Sequence, residues 1–233
     1  MDFDFRFKKF GIFHSESTMK VGTDAILLGA LVNFDENTNV LEIGTGCGII
    51  SLMIAQRFSC HITAIEIDHK SALQAKQNVA SSPWNKNINV IHNDVKNHDF
   101  KHKFDVIVSN PPYFQSGLLS KNNQKSTARH AHSLNFKELL EVSQKLLTEN
   151  GCLWLVLPIL SYEIFESESK SQGFYCNQKF YIKNSQKQDV SLIVTKWVKH
   201  ETKTHVRDLV IRNNDETYSE DYIQLTNSFH PFL

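Results

Sequence analysis

"VLEIGTGCGIISL", residues 40–52, decides the fold. An apolar strand closes at Ile43, glycines follow at 44, 46 and 48, and an apolar helix begins at once. Glycine lets the backbone bend sharply and approach a ligand closely. A strand–glycine turn–helix junction puts that approach at the carboxyl edge of a parallel sheet. Dinucleotide sites prefer G-x-G-x-x-G, but residue 49 is Ile; G-x-G-x-G suits a ligand without a pyrophosphate. The next strand, "HITAIEI" (61–67), carries Glu66 near its end, where a carboxylate accepts hydrogen bonds from the two hydroxyls of a ribose. Loop, context and carboxylate together point to a nucleoside-type cofactor; a merely tight turn is the competing reading.

Outward from this stretch, strand and helix patterns alternate. "NVLEIG" (39–44), "HITAIEI", "NINVIHND" (87–94), "FDVIVSN" (104–110), "CLWLVLP" (152–158) and "DVSLIVTKWV" (189–198) read as strands. Between them lie helices over 48–58, over 68–82 capped by Asp68, over 135–151 with Asn135 near its start and Gly151 as its stop, and over 160–173 ending at Gly173. The strands are near-continuous apolar runs, as expected when helices cover both faces of a parallel sheet. Ahead of them, "DFDFRFKKFGIF" (2–13) alternates Phe with charge and reads as a short β-hairpin turning near Gly11. "GTDAILLGALVN" (22–33) reads as a helix with Thr23 or Asp24 at its N-cap. "QSGLLSKNNQKSTARHAHS" (115–133) has no clear periodicity, and a stretch that long between elements is functional or disordered.

Composition narrows the class. With 41% hydrophobic and 21% charged residues, 233 residues make one globular domain. We divide it into a hairpin and helix extension over 1–35 and a core over 36–233. Four scattered cysteines form no CxxC pair, and eleven histidines show no ligand spacing, so no metal is expected. Neither a signal peptide nor a membrane span is read in the sequence, and a cytoplasmic location is the expectation. Net charge is zero, yet nine Lys or Arg between Lys170 and Arg212 face only Asp189, Glu201 and Asp208. That bias permits a basic face, and equally a solvated surface.

Two further strand ends carry polar groups. Asp94 closes "NINVIHND", where it can accept from an exocyclic amine of the cofactor's base or simply shape a turn. "SNPPYF" (109–114) closes the next strand with an amide, two prolines and two rings. Such a turn is an ordinary β-turn former, but its place at the end of a fourth successive strand favours a function.

The chain resembles class I methyltransferases dependent on S-adenosyl-L-methionine, and within them the tRNA1(Val) (adenine(37)-N6)-methyltransferase family. The residues that carry this are "FHSESTMKVGTDAILLGA" (13–30), "VLEIGTGCGIISLMIAQR" (40–57), "ALQAKQNVASSPW" (72–84), "FDVIVSNPPYF" (104–114), "ARHAHSLNFKELL" (128–140) and "YSEDYIQLTNSFHPFL" (218–233). Ala25 stands where that family often has Gly, and the "FHPFL" ending is longer than usual. The resemblance implies a Rossmann-like, seven-stranded, mostly parallel sheet with helices on both faces. It implies transfer of a methyl group to N6 of adenosine 37 in a valine tRNA, leaving S-adenosyl-L-homocysteine, with no obligate protein partner. It places Lys20, Thr23 and Asp24 near the methionine end of the cofactor, and Glu42, Gly44, Gly46, Gly48, Glu66, Ile67, Asp94, Val95 and Asn110 around the rest.

The amide and prolines then acquire a purpose. An exocyclic amine is a poor nucleophile because its lone pair is delocalised into the ring. The Asn110 oxygen can accept one amine hydrogen and the Pro111 carbonyl the other, with Pro112 stiffening the turn. Tyr113 offers a face for an extruded base, worth about 1–3 kcal/mol. Phe114 is expected at the substrate, and Arg129 and His130 either grip a phosphate or belong to a solvated loop. The same motif serves protein glutamine N5-methyltransferases and other RNA amino-group methyltransferases. The first usually carry a helical domain ahead of the core, and about forty residues are too few for one. A catalytically silent cofactor-binding RNA module is opposed by the intact N-P-P-Y.

Overall fold

The computed structural model describes residues 2–112 and 134–231. In chain order the elements are β1 (Phe5–Arg6), β2 (Gly11–Ile12), α1 (Thr23–Leu31), β3 (Asn39–Ile43), α2 (Ile49–Arg57), β4 (His61–Glu66), α3 (His69–Ala80), β5 (Ile88–His92) and β6 (Phe104–Ser109). There follow α4 (Phe136–Leu146), β7 (Leu147–Pro158), α5 (Ile159–Ser171), β8 (Tyr175–Ser185), β9 (Val190–Val198), β10 (His205–Arg212) and α6 (Glu220–Thr226).

Strands β3 to β10 form one sheet in the order β10-β8-β9-β7-β6-β3-β4-β5. All neighbours are parallel except β7–β9 and β8–β9. The α/β architecture is the one expected, but among the described residues the sheet has eight strands instead of seven. The addition is β10, which runs parallel to β8 at the edge.

Alternation within the strands divides the core in two. Val40 of β3, Val106 and Val108 of β6 and Trp154 of β7 face α1, α2, α3 and α6. Leu41, Ile43, Ile107 and Leu153 face α4 and α5. Burial on both faces explains the unbroken apolar runs. The chain winds outward from β3 in both directions, to β4 and β5 on one side and to β6 and β7 on the other. In open sheets of this kind ligands bind in the crevice at such a reversal, beyond the carboxyl ends of the strands.

Several boundaries differ from the sequence reading. The hairpin turns at Lys8–Lys9, closed by Phe7 N–H donating to the Phe10 carbonyl at 2.8 Å. Gly11 is already a strand residue paired with Arg6, where any Cβ would collide with the Phe3 ring. Helix α4 ends at Leu146, five residues before Gly151, because β7 starts with an irregular stretch. Leu147 pairs with Phe104 and Cys152 with Val106, so the residues between bulge out, and Thr148 Oγ1 bonds Asp105 there at 3.3 Å. The caps at Asp68 and Asn135 are as expected, the latter in a full capping box with Glu138.

The hairpin is seated by the far end of the chain. Lys8 N–H donates to the Phe229 carbonyl at 2.7 Å, and Gln56 Nε2 to the Ser228 carbonyl at 2.8 Å. Phe229 is fully buried in the same cluster as Phe7 and Phe10. Trp84 packs edge-on against Phe10, a packing anchor. No described helix is long and apolar enough to cross a membrane.

Candidate active site

Pairing register lines up the strand ends. Ile43 lies beside Ile65 on one side and Ser109 on the other, so Gly44, Glu66 and Asn110 follow one another across three adjacent strands. Ser109 Oγ donates to the Ile43 carbonyl at 2.9 Å and locks the two central ends together.

The glycine loop adopts a backbone that only glycine takes without cost. Gly44, Gly46 and Gly48 have φ of 74°, 57° and 84°. An L-residue in this region costs roughly 1–2 kcal/mol. A Cβ on Gly44 would meet no atom of the described residues within 4 Å, so among them this backbone borders open space. Amides of Gly44 and Thr45 donate to the Ile65 carbonyl at 2.9 and 3.2 Å, pinning the loop to β4.

Glu66 is built into that loop. Its Oε2 accepts from Gly46 N–H at 2.8 Å and its Oε1 from Asp68 N–H at 2.9 Å. Burial raises its pKa, partly offset by these backbone bonds. Each oxygen retains a second lone pair, which suits a vicinal diol. Open backbone at Gly44 beside a fixed, buried carboxylate fits the nucleoside part of S-adenosyl-L-methionine.

Glu42 lies underneath. It is fully buried, and its Oε2 accepts from Thr45 Oγ1 at 2.7 Å, Ser51 N–H at 3.1 Å and the Ser51 hydroxyl. Its Oε1 has no partner among the described residues. Burial pushes its pKa up to about 7. The carboxyl therefore braces the loop from the core side, tying β3 to the first turn of α2.

At the third and fourth strands, Asn93 N–H donates to the Glu66 carbonyl at 3.0 Å, which carries the β5 end alongside β4. Ile67 is exposed beside Glu66 at 42%. Asp94 organises its own turn, accepting from Lys96 N–H at 2.9 Å and from Asn97 Nδ2 at 3.3 Å. The turn-shaping role is thus present, with or without a ligand. Val95 is buried in the second core cluster, so only its backbone can reach the crevice. Lys96 Nζ pairs with Glu138 at 2.9 Å, binding this turn to the start of α4.

The segment before α1 closes the opposite wall. Ser71, Gln74 and Asn78 form a buried polar stripe on α3. Asn78 Oδ1 accepts from Phe13 N–H, while its Nδ2 donates to the Phe13 and Cys47 carbonyls, all at 2.8 Å. Gln74 Oε1 accepts from the amides of Glu16 and Ser17 at 2.8 and 3.1 Å. Ser71 Oγ accepts from Thr18 N–H at 3.0 Å. Residues 13–18 are thereby strapped across α3, next to the glycine loop. Sequence reasoning passed over these three side chains; their 71, 74, 78 spacing among Ala72, Ala75 and Val79 was the available signal.

Beyond the strap, Lys20 and Thr23 are exposed. The N-cap of α1 is Gly22, with no side-chain cap, instead of Thr23 or Asp24. Asp24 turns across the crevice, and its Oδ2 accepts from Asn110 Nδ2 at 2.9 Å. Asn110 is 7% exposed and Pro111 is buried, while Pro112 is exposed. Tyr113, Phe114, Arg129 and His130 lie outside the described residues. Among the described residues no cluster of three His, Cys, Asp or Glu side chains could hold a metal.

The basic bias is dispersed. Lys179 pairs with Glu166 at 3.2 Å, Lys199 bonds the Leu147 carbonyl at 3.2 Å, and Arg212 lies over the Tyr218 ring. Strand directions put Lys183 and Arg212 toward the crevice edge and Lys196 and Lys199 toward the other.

Comparison with known proteins agrees with this geometry. Residues 5–165 match the family model for the methyltransferase small domain. A tRNA1(Val) (adenine(37)-N6)-methyltransferase of Vibrio campbellii is 40% identical over 97% of this chain and 95% of its own. One from Bacteroides fragilis is 38% identical over 97% of both. A predicted O-methyltransferase from Agrobacterium tumefaciens superposes with a TM-score of 0.68 over 88% of this chain and 96% of its own, at 19% identity, which speaks for the fold alone. With its glycine loop, its strand-end carboxylate and an N-P-P turn in register beside them, the chain belongs to the methyltransferase small domain family and, within it, to the tRNA1(Val) (adenine(37)-N6)-methyltransferases.

Proposed function

We propose that this chain transfers a methyl group from S-adenosyl-L-methionine to N6 of adenosine 37, beside the anticodon of a valine tRNA. The observation that carries the reading is the place of Asn110. It stands at the end of β6, next to Gly44, with its amide nitrogen held by Asp24.

When bound, S-adenosyl-L-methionine supplies a methyl group on a positively charged sulfur that needs no further activation. Glu66 would hold its ribose, the Gly44–Gly48 backbone would border it, Ile67 and Asp94 would flank its base, and Lys20, Thr23 and Asp24 would lie at its methionine end. Asn110 Oδ1 and the Pro111 carbonyl accept the two hydrogens of the target amine. Holding both favours a pyramidal nitrogen with a localised lone pair. Both acceptors are fixed before substrate arrives, one by Asp24 and one by the proline backbone, so little reorganisation accompanies the reaction. Tyr113 and Phe114 are proposed to stack on the extruded base, and Arg129 and His130 to hold a nearby phosphate.

Labelled methyl transfer to total tRNA followed by nucleoside analysis tests this. N6-methyladenosine in the valine acceptor is expected; N2-methylguanosine as sole product would overturn the substrate. Asn110→Ala should lower single-turnover methylation about 10²–10³-fold.

A further inference from the structure

We infer that Asp24 is a positioning residue that fixes which end of the Asn110 amide meets the target amine; the inference rests on the amine-holding role proposed for Asn110. The two ends of an asparagine amide are nearly equal in shape and opposite in hydrogen bonding. With Oδ1 forward, the side chain accepts from the amine and leaves its lone pair for transfer. With Nδ2 forward, it donates to that lone pair and blocks it. Something must therefore decide between two orientations of almost equal shape.

Asp24 decides it. Its Oδ2 receives Nδ2 of Asn110 at 2.9 Å. In this bond Asp24 is the acceptor, and a carboxylate oxygen pairs with a donor, not with another acceptor. The flipped amide would set oxygen against oxygen, so Oδ1 is carried on the arm turned away from Asp24. The carboxylate is in turn held. Asp24 is the second residue of α1, where a negative charge favours the helix start. A Cβ at Gly22 would collide with Asp24 Oδ1, so glycine at 22 is what allows the carboxylate to lie where it does. The strap over α3 leads directly into this turn. The bond joins residues 86 positions apart and closes the N-terminal segment onto the catalytic strand.

The test is single-turnover methylation of a valine tRNA, with S-adenosyl-L-homocysteine affinity measured by calorimetry, for Asn110→Ala, Asp24→Ala, Asp24→Asn, Asn110→Asp and the pair Asp24→Asn with Asn110→Asp. Asp24→Ala should lose about 10–100-fold in turnover, less than the loss of the acceptor itself. Asp24→Asn keeps the side-chain shape, covers the case in which Asp24→Ala fails to fold, and should fall between it and wild type. Asn110→Asp alone sets two carboxylates together and should be at least as impaired as Asp24→Ala. In the pair, the amide introduced at 24 donates to the carboxylate introduced at 110, leaving an acceptor oxygen forward, and turnover should recover at least about tenfold over Asn110→Asp. A merely structural Asp24 would give no such rescue. A readout without turnover is the Asn110 side-chain amide resonance of the ligand-free protein, expected to exchange faster in Asp24→Ala than in wild type. The inference is overturned if Asn110→Ala is inactive while folded Asp24→Ala methylates at the wild-type rate, or if the pair is no better than Asn110→Asp. Wild-type turnover in Asn110→Ala would instead remove the amine-holding role, and the inference with it.

Discussion

Replacing Glu42 by Gln should make the ligand-free protein more stable at neutral and alkaline pH, although it alters the loop's own support. The carboxyl is fully buried, and burial outweighs the bonds from Thr45 and Ser51. Its pKa rises from 4.5 to about 7. The folded state therefore holds this proton where the unfolded state has released it. The contribution is fully present below the unfolded value and is lost as pH rises through the folded one. At about 1.4 kcal/mol per unit the loss amounts to about 3 kcal/mol. Glutamine keeps one oxygen for Thr45 Oγ1 and Ser51 and never ionises. Urea unfolding of wild type and Glu42→Gln at a series of pH values measures the difference. It should be small near about pH 5 and approach about 3 kcal/mol by about pH 8, with equal m-values. Glu66 is present in both proteins, so its own raised pKa cancels to first order. Two stability curves that run parallel across this range would show that Glu42 is ionised at little cost, and the account of its burial would be wrong.

Glu66→Ala should lower both melting temperature and S-adenosyl-L-homocysteine affinity, because it strips acceptors from the Gly46 and Asp68 amides as well as from a ribose, at about 1.5–3 kcal/mol per bond; unchanged calorimetric affinity in the folded variant would remove it from the cofactor site. Asn78→Ala should speed hydrogen exchange at the Phe13 amide, which loses its acceptor, while the helix amides of α3 stay protected; equal protection in both proteins would mean the strap is held by other contacts. If Lys and Arg in the C-terminal half and the 115–133 stretch meet tRNA phosphates, affinity should fall steeply with salt, and Arg129→Ala should reduce that slope by about one without changing cofactor affinity. Salt-independent binding would make the basic bias a solvated surface.

The β3–α2 junction was legible because its signal is local: an apolar run, glycines that only a left-handed turn requires, then at once the start of an apolar helix. Asp68 and Asn135 were legible as caps for the same reason. Strands β8 and β10 were not. Along "YCNQKFYIKNS" most residues are half-buried, so neither unbroken apolar character nor clean alternation marks it. In β10 the first four residues are exposed, and its pairing is with a strand twenty-seven positions earlier, as His205 with Gln178. Asp24 looked like a cap because Asp usually is one at a helix start; its true partner is Asn110, which no local rule could reveal. Glu42 carried no sign of its place beneath the loop, since a carboxylate in a strand can face either way. Ser71, Gln74 and Asn78 are polar residues at helical spacing, and nothing local tells a solvated face from one that another segment covers.

The seating of the β1–β2 hairpin on Phe229 has a consequence for synthesis. As the chain emerges from the ribosome, the sheet can pair strand by strand, and the glycine loop can form once β4 is out. The hairpin must wait for residues more than two hundred positions later, since its partner at Lys8 N–H is the Phe229 carbonyl. The strap at 13–18 and the Asp24 contact follow directly on that hairpin. The strap can be laid on α3 as soon as that helix is made, whereas the hairpin ahead of it stays unseated, and the first core cluster unfilled, until Phe229 is out. Final seating of the hairpin is thus tied to synthesis of the region around Phe229.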